Sequence, residues 1–136
     1  MNQSQLAWGL AEKFHFGQMY GKEEYTYHLA AVVTRLSEEY DDRAEVIGIL
    51  HDILEDTACT ECLLRELFDK DIVDAIVALS KQNGEAYDAY IARVKANPLA
   101  LKIKLHDSKC NMSESLKRGD MKRVRKYANQ IMLLAS

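Results

Sequence analysis

The chain has 136 residues, 48% hydrophobic and 29% charged, which suits one soluble domain with a single core and excludes a disordered chain. A net charge of −3 gives no basic excess for nucleic acid, and no apolar run approaches the roughly 18 residues of a membrane span or forms a signal-peptide pattern. Three cysteines, an odd number, point to reduced thiols in the cytoplasm, and one proline with six glycines leaves few helix breakers.

Leu6, Leu10, Ala11 and Phe14 recur at helical spacing, so a first helix is expected over residues 3–16. Residues 17–24 hold two of the glycines and read as a loop. Thr26 is placed to cap a second helix reaching about Tyr40, and Asp41 or Asp42 a third that continues to about Asp56. Thr60 is expected to cap a short helix ending near Phe68, and Asp71 another through Ser80. After the breaker Asn83–Gly84 comes a helix over about 86–96. Asn97–Pro98 opens the next, because proline is tolerated in the first helical turn; Gly119 ends it and Asp120 caps the last. No period-two strand and no internal repeat is evident. The expectation is an all-α chain forming one domain over 1–136.

The stretch GILHDILEDT, residues 48–57, carries four polar groups in an otherwise apolar helix. On a wheel with His51 at zero, Glu55 falls at about 40°, Asp52 at about 100° and Asp56 at about 140°. Val46, Ile47, Ile49, Leu50, Ile53 and Leu54 fill the rest. The arc holds only metal-ligand and acid–base residue types. A solvated acidic face is the plain alternative, but three carboxylates on one narrow arc repel each other, and a cation would relieve them. The chain supplies matching residues elsewhere. His28 has Ala31 and Val32 at i+3 and i+4 and so points toward core, and Asp107 shares a face with Ala100 and Ile103.

His28, the tandem His51–Asp52 and the distant Asp107 resemble the H…HD…D signature of the HD-domain metal-dependent phosphohydrolases. HDILEDT is similar to the HD-x-x-ED-T of RelA/SpoT-type alarmone hydrolase domains and their small stand-alone relatives. IKLHDSKCNM, residues 103–112, is similar to that family's IKLADRLHNM, with Asp107 and Asn111 in register. HFGQMYGKEEYTYH, residues 15–28, is similar to HxGQxRKSGxPYxxH with one residue fewer, and FDKDIVDAIVALSK, residues 68–81, to FGxxVAxLVxGVTK. The match spans roughly residues 6–113.

The resemblance implies a compact HD-domain helical bundle of about six to eight helices. It implies a divalent metal ion, Mn²⁺ by its mixed imidazole and carboxylate ligands, held by His28, His51, Asp52 and Asp107. Glu55 and Asp56 take the catalytic role, orienting or deprotonating the attacking water. The implied substrate is a nucleotide, a guanosine polyphosphate losing its 3′-pyrophosphate, with no nucleic-acid or membrane partner and with homo-oligomer formation left open. In the family an Arg-Lys pair after HxGQx helps hold guanine. Tyr20–Gly21 stands there here, followed by Lys22, so Tyr20, Lys22 and Asn111 are the expected substrate-binding residues. Ser108 replaces the arginine of DRLHN, and His106 is read as a non-ligand. The alternatives are hydrolysis of a different nucleotide, or a nucleotide-binding sensor without catalysis.

Two further features carry other readings. Cys59-Thr60-Glu61-Cys62 lacks the second ligand pair of a zinc site and the βα context of a redox motif, and reads as incidental. Lys117, Arg118, Lys122, Arg123, Arg125 and Lys126 form a basic stretch, either a solvated helix face or a source of one or two contacts to substrate phosphates.

Overall fold

The computed structural model describes residues 1–36 and 42–136. The helices are α1 (Gln3–Phe14), α2 (Tyr25–Arg35), α3 (Asp42–Leu50), α4 (Ile53–Asp56), α5 (Glu61–Leu67), α6 (Lys70–Leu79), α7 (Tyr87–Lys95), α8 (Pro98–Lys117) and α9 (Met121–Ala135). The all-α expectation holds. The predicted end of the second helix near Tyr40 and the cap at Asp41 lie outside the described residues.

Most helix ends follow from local chemistry. The Asn2 side chain accepts from Gln5 N–H while Gln5 reaches back to Asn2 N–H, a reciprocal capping box. Thr60, Asn97 and Asp120 cap α5, α8 and α9 through their side chains, as their positions predict. Asp71 does not cap α6. That helix begins two residues earlier, at Lys70 behind Asp69, and Asp71 instead pairs with Arg43 of α3.

Two expectations are corrected. The loop over 17–24 contains a minimal hairpin, β1 (Met19–Tyr20) against β2 (Glu23–Glu24), antiparallel with Tyr20 opposite Glu23. Two residues per strand are too few to show a period in sequence. The hairpin runs straight into α2, because Tyr25 N–H bonds Gln18 O at 3.0 Å, so Thr26 is inside the helix and not its cap.

The predicted third helix is not continuous to Asp56. It stops at Leu50, and Asp52 (φ −108°, ψ 1°) starts the single turn of α4. In an uninterrupted helix the Gly48 carbonyl would bond the Asp52 N–H. Here it accepts from the His51 imidazole Nδ1 at 2.7 Å.

The bundle is built around α3, buried without a break from Val46 to Leu50 and packed by α1, α2, α6 and α8. A Cβ on Gly48 would stand 3.2 Å from Leu36 Cδ1 and 3.5 Å from Val33 Cγ2, so glycine lets α2 and α3 approach closely. Ile47, Ile49, Leu50, Ile72, Ile76 and Ile103 are fully buried between these helices. α9 lies along α8, fixed in part by a buried hydrogen bond from Ser108 to Gln130, whose amide donates in turn to the more exposed Tyr87 hydroxyl.

The end of α6 is capped from α7. Arg93 donates to the carbonyls of Val77, Ala78 and Ser80 at 2.9, 3.1 and 2.8 Å, and to both carboxylate oxygens of Glu85. Tyr90 OH donates to Leu79 O at 2.8 Å. Arg93 in turn holds the Glu85 carboxyl low, at about 2. A depressed carboxylate stabilises the fold above its unfolded value, and that contribution fades as pH falls toward the folded one. Arg93→Ala, which removes the donors to three backbone carbonyls, is expected to lower stability. In urea unfolding followed against pH, Glu85→Gln is expected to lose least relative to wild type at the acid end, between the ordinary glutamate range and about pH 2.

Candidate functional site

Four side chains from three parts of the bundle converge between α2, α3 and α8. His28 comes from α2, His51 and Asp52 from the break after α3, and Asp107 from the middle of α8. One donor atom from each lies within 4.8 Å of all the others. His28, His51 and Asp107 are buried and Asp52 is partly so. His106 stays out of this group.

The protonation pattern shows what the group requires. With the His51 Nδ1–H committed to Gly48 O, the neutral ring presents a bare Nε2 lone pair. That nitrogen faces Asp52 Oδ2 at 3.0 Å and Asp107 Oδ1 at 3.3 Å. His28 Nε2 lies 2.8 Å from the same Asp107 oxygen, and its Nδ1 is buried without a hydrogen-bond partner among the described residues. Lone pairs converging in a buried space need a positive charge between them. Burial opposes charge on His51, but Asp52 and Asp107 outweigh it and draw a proton toward the ring. Burial likewise opposes charge on both carboxylates, yet each is held low, Asp107 by Lys104 and then His51, Asp52 by His51. A divalent cation fits this donor set, two imidazoles and two carboxylates with one histidine tautomer fixed by a backbone carbonyl.

Several residues that sequence reasoning did not assign to the site surround the group, His15 among them, which the sequence marks as structural. Tyr25, the tyrosine of the YTYH stretch, donates its hydroxyl to Asp52 Oδ2 and is raised well above the ordinary phenol range by burial and by that carboxylate. Lys104 reaches Asp107 Oδ2 at 3.3 Å from one turn back on α8. Burial opposes its charge, but the Asp107 carboxylate holds it protonated. Its spacing of three residues from Asp107 was the available signal. His15 Nδ1 donates to Gln18 Oε1 at 2.7 Å, and Gln18 Nε2 donates to Asp56 Oδ2 at 3.2 Å. Reversing the amide would turn its oxygen toward the carboxylate, so the Asp56 and His15 contacts together set its orientation, nitrogen to the carboxylate and oxygen to the imidazole.

Glu55 and Asp56 sit at the exposed edge, not on an extended helix face as the wheel assumed. Glu55 Oε1 accepts from Lys81 N–H at 2.6 Å, in the loop that Arg93 and Tyr90 anchor. Partial burial raises the pKa of both, with Asp52 adding to the rise. Of the expected substrate-binding residues, Tyr20 and Asn111 meet. Tyr20 OH donates to Asn111 Oδ1 at 2.6 Å, and Asn111 Nδ2 donates to Asp107 Oδ1 at 3.2 Å. The Tyr20 ring stacks on His28, centroids 4.5 Å apart. Lys22 is exposed in the hairpin turn.

No protein-family model matches the chain. It is 38% identical over 85 residues, 59% of its length, to a GTP pyrophosphokinase of Myxococcus xanthus, and 37% identical over 65 residues, 47% of its length, to a probable guanosine-3′,5′-bis(diphosphate) 3′-pyrophosphohydrolase of Mycoplasma pneumoniae. The chain spans only 11% and 9% of those relatives. In three dimensions it matches a solved metazoan orthologue of SpoT, described as hydrolysing ppGpp and acting in starvation responses. The TM-score is 0.81 at 19% identity, covering 98% of this chain and 86% of that one. The chain thus resembles RelA/SpoT-type proteins in sequence and in fold. Among the described residues no helix is long and apolar enough to cross a membrane.

A divalent cation at the cluster is expected to stabilise the fold in proportion to its occupancy. Mn²⁺ at a hundred times its Kd should add about 2.7 kcal/mol, visible as a raised unfolding midpoint. Asp107→Asn should abolish that metal-dependent shift, and an unchanged shift would place the ion elsewhere.

Proposed function

We propose that the chain is one HD-type domain hydrolysing a guanosine polyphosphate, guanosine 3′,5′-bis(diphosphate) or its pentaphosphate analogue, at the ribose 3′ position. The observation that carries this is the juxtaposition of a four-residue cation cluster with two carboxylates at its exposed edge, both raised in pKa. A pure binding module has no chemical need of Glu55 and Asp56. The names of the relatives support the guanosine polyphosphate, and one of them supports cleavage over synthesis.

His28, His51, Asp52 and Asp107 would hold the ion, with Mn²⁺ suited to two nitrogen and two oxygen donors. Bound there, it supplies positive charge against the phosphoryl oxygens and makes the attacking water more acidic. In the reaction the water oxygen bonds to the phosphorus next to the ribose 3′ oxygen. The P–O3′ bond breaks, pyrophosphate leaves with the water oxygen, and the 3′ oxygen gains a proton. Glu55, raised above an ordinary carboxylate and steadied by the Lys81 N–H, takes the proton of the attacking water. Asp56, oriented by Gln18, holds that water in line. Tyr25 keeps the Asp52 carboxylate in one rotamer by donating to Oδ2. Asn111 stands between Tyr20 and Asp107, where it can meet the ribose or a phosphate. The three free cysteines suit a reducing cytoplasm.

The test is hydrolysis of a nucleotide panel, guanosine polyphosphates included, by purified protein with Mn²⁺. Turnover of the guanosine compounds is expected, abolished by chelation and by Asp52→Ala. Glu55→Gln should lower kcat by roughly 10²–10⁴-fold with little change in KM. Turnover confined to another nucleotide would keep the chemistry and overturn the substrate. Binding of metal and nucleotide without turnover would make the domain a sensor.

A further inference from the structure

Gly21 is glycine for a reason that lies outside its own turn. Its φ of +63° favours glycine, but asparagine also tolerates that region. A side chain here would also have to displace a neighbour. A Cβ at residue 21 would stand 2.2 Å from Arg118 Nη2 and 2.6 Å from its Cζ. The guanidinium of Arg118, at the C-terminal end of α8, fills the volume in which a residue-21 side chain would begin. Its Cζ also lies 5.2 Å from the centroid of the Tyr20 ring, the ring that stacks on His28. Glu114 Oε2 is 3.9 Å from Nη2, close enough to steer the charge and too far to use a donor. The Arg118 side chain is 43% exposed, and among the described residues no side-chain hydrogen bond occupies its N–H groups.

We infer that Arg118 is a substrate-binding residue, the cation that holds the nucleotide beyond Tyr20, away from the bond being cleaved. The inference rests on the nucleotide-hydrolase reading above. Where related hairpins carry an Arg-Lys pair, this one has Tyr20–Gly21, and the missing side chain at 21 admits a guanidinium delivered from α8. Pinned by an aromatic face, a bare Cα and a carboxylate, that planar fork is preorganised for two adjacent acceptors. On a guanosine polyphosphate two such pairs exist: oxygens of the 5′ phosphates, and O6 with N7 of guanine.

The test compares wild type, Arg118→Ala, Arg118→Lys, Gly21→Asn and the double variant Gly21→Asn/Arg118→Ala. The readouts are steady-state kinetics on guanosine 3′,5′-bis(diphosphate) and calorimetric binding of GDP, which lacks the scissile group. Arg118→Ala is expected to raise KM and the GDP Kd roughly ten- to hundredfold while kcat stays within about twofold. Lysine should recover only part, having charge without the fork. Gly21→Asn keeps the turn but evicts the guanidinium, so it should reproduce the defect, and the double variant should be no worse than Arg118→Ala alone. Thermal unfolding of each variant separates this from misfolding. Adenosine 3′,5′-bis(diphosphate) distinguishes the two acceptor pairs: an equal penalty on both nucleotides marks the phosphates, a penalty confined to guanosine marks the base edge. An active wild type whose KM and GDP Kd are unmoved by Arg118→Ala overturns the inference. If wild type hydrolyses neither nucleotide, the functional reading above fails by itself, and the GDP Kd alone decides Arg118, an unmoved value overturning it.

Discussion

Two carboxylates, Asp52 and Asp107, face one His51 nitrogen from 3.0 and 3.3 Å, in a space closed to most solvent. Like charges so close would drive the surrounding helices apart unless something positive stood among them. The structure supplies partial answers from several directions. Lys104 reaches Asp107 from one turn back, Tyr25 donates to Asp52, and Asn111 donates to Asp107. None of these occupies the point at which His28, His51, Asp52 and Asp107 all converge. Positive charge at that point, a proton on His51 or a bound cation, is thus called for by the fold's own electrostatics. It comes before any consideration of substrate.

The backbone around the cluster is arranged to hold that convergence. Gly48 lets α3 come close to α2, and its carbonyl fixes the His51 tautomer. Diverting that carbonyl to a side chain accompanies the end of α3, so Asp52 turns to face His51. One glycine thereby serves packing, tautomer and helix end. The outer carboxylates are held by separate means. Glu55 depends on a loop N–H anchored by Arg93 and Tyr90 at the end of α6, and Asp56 on an amide oriented by His15. The inner cluster therefore rests on helix packing, while Glu55 and Asp56 are steadied by partners outside the helices, the Lys81 N–H and the Gln18 amide.

The short hairpin between α1 and α2 ties both levels together. Tyr20 touches His28 by stacking and Asn111 by its hydroxyl, and it lies under the Arg118 guanidinium. Gly21, next to it, has a positive φ that favours glycine, and its missing side chain leaves room for the guanidinium that packs there from α8. The hairpin thus packs against a side chain more than ninety positions away in the sequence.

By itself the sequence determined the helices, because their caps and breakers act within a few residues: Thr60, Asn97–Pro98, Gly119 and Asp120 each stand where a helix starts or stops. It also put His51 and Asp52 on one polar arc and turned His28 and Asp107 toward the core by periodicity, while their union as one ligand set came from the resemblance to the H…HD…D signature. What it did not contain was the break at His51–Asp52, which depends on a side chain taking a backbone acceptor in the buried centre of the bundle. Nor could periodicity show a hairpin of two-residue strands, the Gln18 link to Asp56 or the fit of Arg118 onto Gly21. These were decided by tertiary structure, because each joins groups distant along the chain through contacts whose geometry exists only once the helices have packed.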